Sequence, residues 1–141
     1  NDYRNLLLSN RLEYILHGIF KNKTITFLGV TFKRNTDDMR EASSIPMIKY
    51  LNKKKSNIRY YDPSGEKFEF KKLKNVRYYD DISSACFNSD LIVLHTEWND
   101  FKLLNFKRII KKKNFKVFDM RNIYSPTKMK KLKIDYFGIG R

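Results

Sequence analysis

The stretch TITFLGVTFKRNTDDMREASS, residues 24–44, decides the fold of this chain. Its first part, residues 25–30, is an apolar run rich in β-branched and aromatic side chains, and such a run between turn residues is typical of a buried strand. A polar loop follows, and Ser43, Ser44 and Pro46 then predict a serine N-cap with proline in the first turn of a helix. The stretch therefore predicts a strand, a charged loop and a helix. In an open α/β sheet, ligands bind at such loops.

The loop carries Lys33 and Arg40, which are candidates to hold an anionic ligand. Both could instead be ordinary loop charges that pair with the neighbouring carboxylates Asp37, Asp38 or Glu41. The spacing does not separate these two interpretations, and both stay open at this point.

The composition fits one folded domain with a basic surface. The 141 residues are 41% hydrophobic and 15% aromatic, enough to bury a sizeable core. The formal net charge of +15 favours phosphorylated ligands or polyanions. Because the lysines are spread along the chain, we interpret most of this charge as a solvated surface. A dedicated nucleic-acid function is therefore the weaker alternative.

The cysteine count and the hydropathy limit the possible compartments. The single cysteine, Cys86, cannot form an intramolecular disulfide, and no Cys/His set has zinc spacing, so no metal is expected. Cys86 falls on the apolar side of a helical pattern, which predicts a core residue rather than a nucleophile. No apolar run approaches the ~18 residues of a membrane span and no signal peptide is evident, so we expect a cytoplasmic protein without a membrane partner. The absence of an initiator methionine before Asn1 suggests a piece of a longer protein.

Hydrophobic periodicity predicts one amphipathic helix followed by alternating strands and helices. The first helix is predicted over residues 2–20, and one long helix over residues 101–110. Asp80 or Asp81 and Ser125 are predicted N-caps, and residues 66–75 fit no clear pattern. The alternation predicts right-handed crossovers and a largely parallel sheet with helices on both faces. The predicted strands cover residues 25–30, 58–61, 76–79, 91–94, 115–118 and 134–139.

Parallel strands deliver the loops at their carboxyl ends to one edge of the sheet. Residues following four strands should therefore meet there: Phe32 and Lys33, Asp62, residues 96–98, and Arg121. Cations beside aromatic side chains suit a nucleotide-linked ligand, because guanidinium and ammonium groups neutralise phosphate oxygens. The structural alternative is that Arg121 simply pairs with Asp119.

The chain lacks the motifs of several common catalytic and nucleotide sites. No Gly-x-Gly-x-x-Gly follows the first strand, where Gly29 stands alone. There is also no P-loop, nucleophile elbow or Cys/His pair placed for covalent catalysis. The predicted fold class is a three-layer, mostly parallel Rossmann-like α/β sheet without a GxGxxG loop, preceded by one amphipathic helix.

Five ordered strings carry a resemblance to a known family: GVTFKRNTDDMREASS, YYDPSG, SDLIVLHTEWNDF, FDMRNIYSP and FGIGR. In this order and spacing they resemble the C-terminal, UDP-binding domain of the UDP-glucose/GDP-mannose dehydrogenase family, and most of all its bacterial UDP-glucose 6-dehydrogenase branch. The resemblance covers residues 21–141. Residues 1–20 look like the helix that follows the central dimerisation domain in that family.

The resemblance implies a role in the NAD-dependent, two-step oxidation of UDP-glucose to UDP-glucuronate by a longer, homodimeric enzyme. In the family the catalytic cysteine and most of the NAD site belong to domains that this chain does not show, so Cys86 does not inherit that role. The chain alone is therefore expected to be inactive. The alternatives are the corresponding domain of a UDP-N-acetylhexosamine or GDP-mannose dehydrogenase, or a stand-alone basic domain that binds nucleic acid.

The resemblance also implies roles for four residues by motif. Phe32 and Lys33 match positions that contact the UDP-sugar, and Arg121 matches a substrate-contacting arginine. Arg40 matches the arginine that reaches NAD across a domain interface. Met120 stands where the family usually has glycine, and a methionine there would strain the Arg121 turn if the position required a positive φ or a close approach of the backbone.

Overall fold

Six parallel strands form one sheet at the centre of the structure, a computed structural model that describes residues 2–141. Their order across the sheet is β3-β2-β1-β4-β5-β6, and every adjacent pair is parallel. The prediction of a mostly parallel sheet is therefore confirmed. The strands are β1 (Thr24–Leu28), β2 (Asn57–Tyr61), β3 (Val76–Tyr78), β4 (Leu91–Leu94), β5 (Lys116–Asp119) and β6 (Asp135–Phe137).

Five helices cover the two faces of this sheet. They are α1 (Asp2–Leu16), α2 (Ser44–Lys53), α3 (Ile82–Cys86), α4 (Phe106–Ile110) and α5 (Pro126–Lys131). One apolar core lies between the sheet and α1 and α2, and it includes Leu12, Ile48 and Phe27. The second lies under α3, α4 and α5, and it includes Cys86 and Ile110. Cys86 is therefore a core residue, as its pattern predicted.

The strand order reverses between β1 and β4, which are neighbours in the middle of the sheet. All four residues of β4 are buried, because both faces of a central parallel strand are covered. From this point the chain connections run outward in opposite directions. The helices that follow β1 and β4 therefore lie on opposite faces of the sheet, and the carboxyl ends of these two strands are the place where open α/β sheets bind ligands.

The predicted end of the first helix at residue 20 is wrong. The helix ends at Leu16 because His17 and Gly18 both adopt left-handed backbone, with φ of 54° and 72°. The amide of Gly18 donates to the carbonyl of Glu13 at 2.9 Å, which satisfies an end carbonyl of the helix. Phe20 is buried beyond the helix and continues the apolar pattern without helical backbone.

The predicted single helix over residues 101–110 is also wrong. A short 3₁₀ turn, Asn99–Phe101, precedes a break, and α4 begins only after Asn105. The side chain of Asn105 caps this helix by accepting a hydrogen bond from the amide of Arg108. Leu103 lies in the break with its side chain 96% exposed, so its place in an apolar pattern was misleading.

The N-cap predictions have mixed outcomes. Asp81 caps α3 by accepting from the amide of Ser84, and Ser125 caps α5 with Pro126 in its first turn. In α2 Pro46 lies in the first turn as predicted, but the serine cap is wrong, because Ser43 makes no side-chain capping bond and Ser44 is already the first residue of the helix. The Ser44 hydroxyl instead donates to the carbonyl of Val30 at 2.6 Å, which ties the helix to the loop after β1.

Two strand boundaries and one unassigned segment are set by the tertiary structure. β1 stops at Leu28 rather than Val30, and the last strand covers Asp135–Phe137 rather than residues 134–139. The segment over residues 66–75 forms a 3₁₀ turn, Phe68–Phe70. Its buried Phe70 ring packs on Tyr60 with 5.1 Å between ring centroids, so the segment covers the outer part of the first core.

Candidate nucleotide-sugar site at the carboxyl edge of the sheet

The residues that follow β1, β2, β4 and β5 form the carboxyl edge of the sheet. At Gly29 the loops of this edge pack closely together. Gly29 has φ of +80°, and a Cβ added there would lie 2.6 Å from the Cβ of Thr96. Only glycine fits both the left-handed backbone and this close approach. The Thr96 hydroxyl donates to the carbonyl of Thr31 at 2.9 Å. The loops after β1 and β4 are therefore packed directly against each other.

Asp62, which follows β2, fixes the loop after β1. Its Oδ2 accepts the amides of Val30 at 2.8 Å and Thr31 at 3.3 Å, while its Oδ1 accepts the amide and the hydroxyl of Ser64. The carboxylate is buried and these donors occupy both of its oxygens. Asp62 is therefore a structural anchor of the edge rather than a group free to contact a ligand.

Arg121, which follows β5, connects the loops of three strands. Its Nε donates to the carbonyl of His95 at 2.9 Å, and its Nη2 donates to the carbonyl of Phe32 at 3.1 Å. Its contact with Asp119 runs through the main-chain amide of Arg121 at 3.2 Å. Among residues 2–141 no side-chain ion pair joins Arg121 to Asp119, so the guanidinium charge lies at the edge without that counterion.

His95 follows β4 and is a neutral structural residue. Its Nε2 lies 3.0 Å from the Ser43 hydroxyl, and its Nδ1 lies 2.9 Å from the Thr96 hydroxyl. Burial lowers the pKa of His95 from 6.5 to about 3, and the positive charges of Arg121 and Arg4 act in the same direction. The imidazole therefore carries no charge at neutral pH, and both of its ring nitrogens have hydrogen-bond partners at the end of the strand.

Phe32, whose carbonyl accepts a hydrogen bond from Arg121, and its neighbour Lys33 both have exposed side chains. The Phe32 side chain is 44% exposed, and its amide donates to the carbonyl of Asp38 at 2.9 Å. The carbonyl of Lys33 accepts the Thr31 hydroxyl at 2.9 Å, which holds the backbone while the ammonium group stays exposed. The main chain of this loop is thus fixed. The aromatic ring of Phe32 and the ammonium group of Lys33 are exposed at the surface.

Arg40 pairs with Asp38, which is one of the two interpretations left open by the sequence. The guanidinium lies 3.0 Å from Oδ1 and 3.1 Å from Oδ2 of Asp38. Hydrogen bonds from Arg40 lower the pKa of the Asp38 carboxyl, and the same contact raises the pKa of Arg40. The Arg40 side chain is 89% exposed, and an exposed pair of this kind is weak enough to exchange for another anion.

The positive φ that would strain a methionine at position 120 is not present. Within the described part of the chain, Met120 is not among the residues with positive φ, and the left-handed residue of this turn is Asn122, with φ of 53°. Asparagine tolerates this backbone better than most residues do. Its side chain exchanges two hydrogen bonds of 2.9 Å with the main chain of Ile139. The turn that carries Arg121 is therefore stabilised by the C-terminal segment.

Sequence reasoning missed a cleft of about 570 Å³ next to this turn, lined by Arg4, Arg11, Met120 and Arg141 among others. Arg11 donates to the carbonyl of Gly138 at 3.2 Å, and Arg141 donates to the carbonyl of Tyr124 at 3.0 Å. A sequence signal existed, because Arg4 and Arg11 are seven residues apart on α1 and such residues share a helix face. These arginines extend the positive charge of the carboxyl edge.

Three further observations concern the described residues. Burial raises the pKa of the Cys86 thiol to about 12, so this sulfur remains a protonated core group. In residues 2–141 no cluster of three or more His, Cys, Asp or Glu side chains could hold a metal ion. Over the same residues, no helix has the length and apolar character needed to cross a bilayer.

The fold and the edge define a class of protein: a Rossmann-like α/β domain that presents cations and an aromatic ring at the switch point but has no glycine-rich loop for a dinucleotide. The sequence model described as "UDP-glucose/GDP-mannose dehydrogenase family, UDP binding domain" matches residues 26–126. The chain belongs to this family.

Similar proteins agree with this assignment. The UDP-glucose 6-dehydrogenase of Rhizobium meliloti (strain 1021) is 33% identical over 144 residues, which cover 100% of this chain and 32% of that protein. The protein of the same name from Rickettsia felis is 36% identical over 146 residues, covering 99% of this chain and 32% of that protein. The chain thus spans about a third of the length of the curated relatives it matches.

Solved structures show the same fold. A UDP-D-ManNAc dehydrogenase from Pyrococcus horikoshii superposes with a TM-score of 0.77 at 25% identity, covering 100% of this chain and 32% of that one. An NDP-N-acetyl-D-galactosaminuronic acid dehydrogenase from Methanosarcina mazei superposes with a TM-score of 0.84 at 23% identity, covering 100% of this chain and 30% of that one. At this level of identity the second likeness concerns the fold alone.

Proposed function

We propose that this chain is the UDP-sugar-binding part of an NAD-dependent UDP-glucose 6-dehydrogenase, which oxidises UDP-glucose to UDP-glucuronate. The observation that carries the proposal is the position of Arg121. Its guanidinium lies at the switch point, bonded to the carbonyls of His95 and Phe32, in a chain that belongs to a family with a UDP-binding domain. A fixed cation at this place suits a diphosphate.

Three residues divide the work of binding. Arg121 and Lys33 neutralise the diphosphate, and the exposed ring of Phe32 packs on the nucleotide or sugar. Because Arg121 is held by two main-chain carbonyls, little side-chain entropy is lost when the ligand binds. The contribution of this chain to catalysis is then to orient the substrate and stabilise its charge.

NAD would accept the hydride in such an enzyme, and most of its binding site would lie in parts of the protein that this chain does not show. The residue of this chain that we assign to it is Arg40. The exposed pair between Arg40 and Asp38 would exchange for a phosphate of the cofactor, since a guanidinium binds carboxylate and phosphate oxygens in the same geometry. No other described residue is assigned to NAD.

The domain division belongs to the same proposal. Residues 21–141 form the UDP-sugar domain, and residues 1–20, which include α1 (Asp2–Leu16), form the segment that follows a central domain through which the whole enzyme dimerises. α1 supplies Leu8, Leu12, Ile15 and Leu16 to the first core, so in this chain the helix is packed on the sheet.

The sugar is proposed to be glucose. The strings TEW and RNIY favour the glucose branch, and the curated relatives reported above carry the name UDP-glucose 6-dehydrogenase. A UDP-N-acetylhexosamine substrate is the competing possibility, because this part of the enzyme sees mainly the nucleotide.

The proposal is tested by titrating the chain with UDP, UDP-glucose and GDP-mannose in a calorimeter. The fluorescence of Trp98, the single tryptophan and close to the end of β4, gives an independent signal. We expect weak, saturable binding of both uridine ligands, weaker binding of GDP-mannose, and no NADH formation by this chain alone. A folded chain that gives no heat and no fluorescence change with UDP-glucose would contradict the proposal.

A further inference from the structure

A second basic cleft lies outside the carboxyl edge, beside α3 and α4. Its volume is about 490 Å³, and its lining includes Arg59, Tyr79, Ser83, Phe87, Arg108 and Lys111. Among the described residues that line it, none is acidic. Three cations therefore face one cleft without a carboxylate in its wall, and their mutual repulsion favours the entry of an anion.

Arg59 is held in place before any ligand arrives. Its Nη1 donates to the carbonyls of Phe87 at 2.6 Å and Ala85 at 3.2 Å, and its guanidinium carbon lies 5.4 Å from the centre of the Tyr79 ring. Within residues 2–141 its Nε and Nη2 have no hydrogen-bond partner. A guanidinium that is oriented on one side and unsatisfied on the other is preorganised to bind a phosphate group.

Arg108 and Lys111 supply the other two charges from α4 and its end. Both side chains are exposed, and in the described part of the chain neither takes part in an ion pair. Their backbone is nevertheless fixed, because Asn105 caps the amide of Arg108 and Lys111 terminates the helix in left-handed conformation. Both charged groups are thus exposed, and both side chains start from a fixed backbone.

Phe87 adds an apolar surface to this cleft, with 53% of its side chain exposed. A large aromatic side chain that is half exposed beside three cations suits a ligand with both a phosphate and a flat ring. The volume of the cleft falls within the range found for sites that bind small molecules. Arg59 lies in the middle of β2, whereas the carboxyl edge begins beyond the ends of the strands, so the two places are separate.

We propose that this cleft is a second nucleotide-binding site, which takes the phosphates of a free nucleotide between Arg59, Arg108 and Lys111 and its base against Phe87. The site does not depend on the proposed substrate of the carboxyl edge. It would allow a nucleotide other than the substrate to bind to the same domain.

The test uses the whole 141-residue chain, labelled with ¹⁵N, and adenosine 5′-diphosphate as the probe. We expect saturable shifts of the amide signals of Ser83, Phe87 and Arg108. Arg108→Gln removes one exposed charge without touching a packing contact, and it should weaken the binding at least tenfold. Arg59→Lys should also weaken the binding at least tenfold, because lysine lacks the planar guanidinium group that donates two parallel hydrogen bonds to a phosphate. Arg34→Lys, at an exposed position of the loop after β1 and outside this cleft, is the matched control and should bind as the unchanged chain does.

Four results would overturn the proposal. They are shifts confined to Phe32, Lys33 and Arg121, full affinity in Arg108→Gln, binding of inorganic phosphate as tight as that of the nucleotide, and binding of a single-stranded oligonucleotide but not of the mononucleotide. Because the signals are resolved residue by residue, failure at this cleft is distinguishable from failure of UDP binding at the carboxyl edge.

Discussion

The guanidinium group of Arg121 donates a hydrogen bond of 3.1 Å to the main-chain carbonyl of Phe32, 89 residues earlier in the chain. The same group donates to the carbonyl of His95. One side chain therefore joins the loops after β1, β4 and β5 at the point where the strand order reverses. The proposed diphosphate site depends on this connection, because it fixes both the cation and the loop that carries Phe32 and Lys33.

Arg121→Lys should weaken UDP binding by about 10- to 100-fold. Lysine keeps the positive charge but has no planar fork, so it cannot reach both carbonyls and the ligand, and a hydrogen bond to a charged group is worth about 1.5–3 kcal/mol. Calorimetric titration with UDP measures the change. Arg77→Lys, on the exposed edge of β3, is the control for the replacement of any arginine by lysine. Equal UDP affinity in the two variants would show that Arg121 does not contact the ligand.

Gly29→Ala should destabilise the fold by about 2–4 kcal/mol, since it combines left-handed backbone with a clash against Thr96. The matched control is Gly18→Ala. Gly18 has a similar φ of +72°, but nothing lies within 4 Å of its added Cβ, so only the backbone cost applies. Urea denaturation of both variants gives the two values. If their losses of stability were equal, the close packing of the loops after β1 and β4 would not be a real constraint.

The stability of the domain should fall between pH 7.5 and pH 5 because of His95. Its pKa is lowered from 6.5 to about 3 in the folded state, so at pH 5 the unfolded chain binds a proton that the folded chain does not. The contribution of the neutral, buried His95 to the free energy of unfolding is therefore fully present above pH 6.5, and it is lost progressively as the pH falls toward 3. From the linkage between proton binding and folding, we expect the free energy of unfolding to be lower by about 2 kcal/mol at pH 5.

Comparison of His95→Gln with His17→Gln isolates this effect. Urea denaturation at pH 7.5 and pH 5 should show a smaller loss of stability in His95→Gln than in the unchanged chain. His17→Gln is the matched control, because it removes an exposed imidazole instead of the buried one. The same pH dependence in all three proteins would mean that His95 is not the titrating group.

The Cys86 thiol should resist aromatic disulfide reagents in the folded chain at pH 8. The residue is fully buried and its pKa is raised to about 12, so almost no thiolate is present or accessible. We expect labelling to be more than about a hundredfold faster in 6 M guanidinium chloride. Leu103→Cys places a thiol at a 96% exposed position and should add one immediately labelled group. Rapid labelling of Cys86 in the folded chain would contradict its assignment to the core.

The pattern of the sequence predicted a large part of the candidate site. Alternating strands and helices require parallel strands, and parallel strands bring the residues after them to one edge, so Phe32, Asp62, Thr96 and Arg121 could be grouped without coordinates. The contacts of Arg121 and Asp62 across the loops confirm this grouping. Cys86 was assigned to the core for the same kind of reason, since an apolar helix face must be buried.

The ends of elements and the partners of polar groups could not be read from local pattern. α1 ends at Leu16 because of the left-handed turn at His17 and Gly18, although the apolar spacing continues to Phe20. The Ser43 hydroxyl lies within hydrogen-bond distance of His95 instead of capping α2. Each of these outcomes depends on a neighbour that is distant in sequence, or on a backbone angle that several residue types can adopt.

The sequence by itself determined the parallel α/β class, the membership of the family and the group of residues at the carboxyl edge, because periodicity and short motifs are local properties. Only the tertiary structure decided that Arg121 binds the carbonyls of His95 and Phe32, and that Arg59 shares a cleft with Arg108 and Lys111. These contacts follow from the strand order β3-β2-β1-β4-β5-β6, which sets the distance between residues far apart in the chain. No local pattern encodes that order.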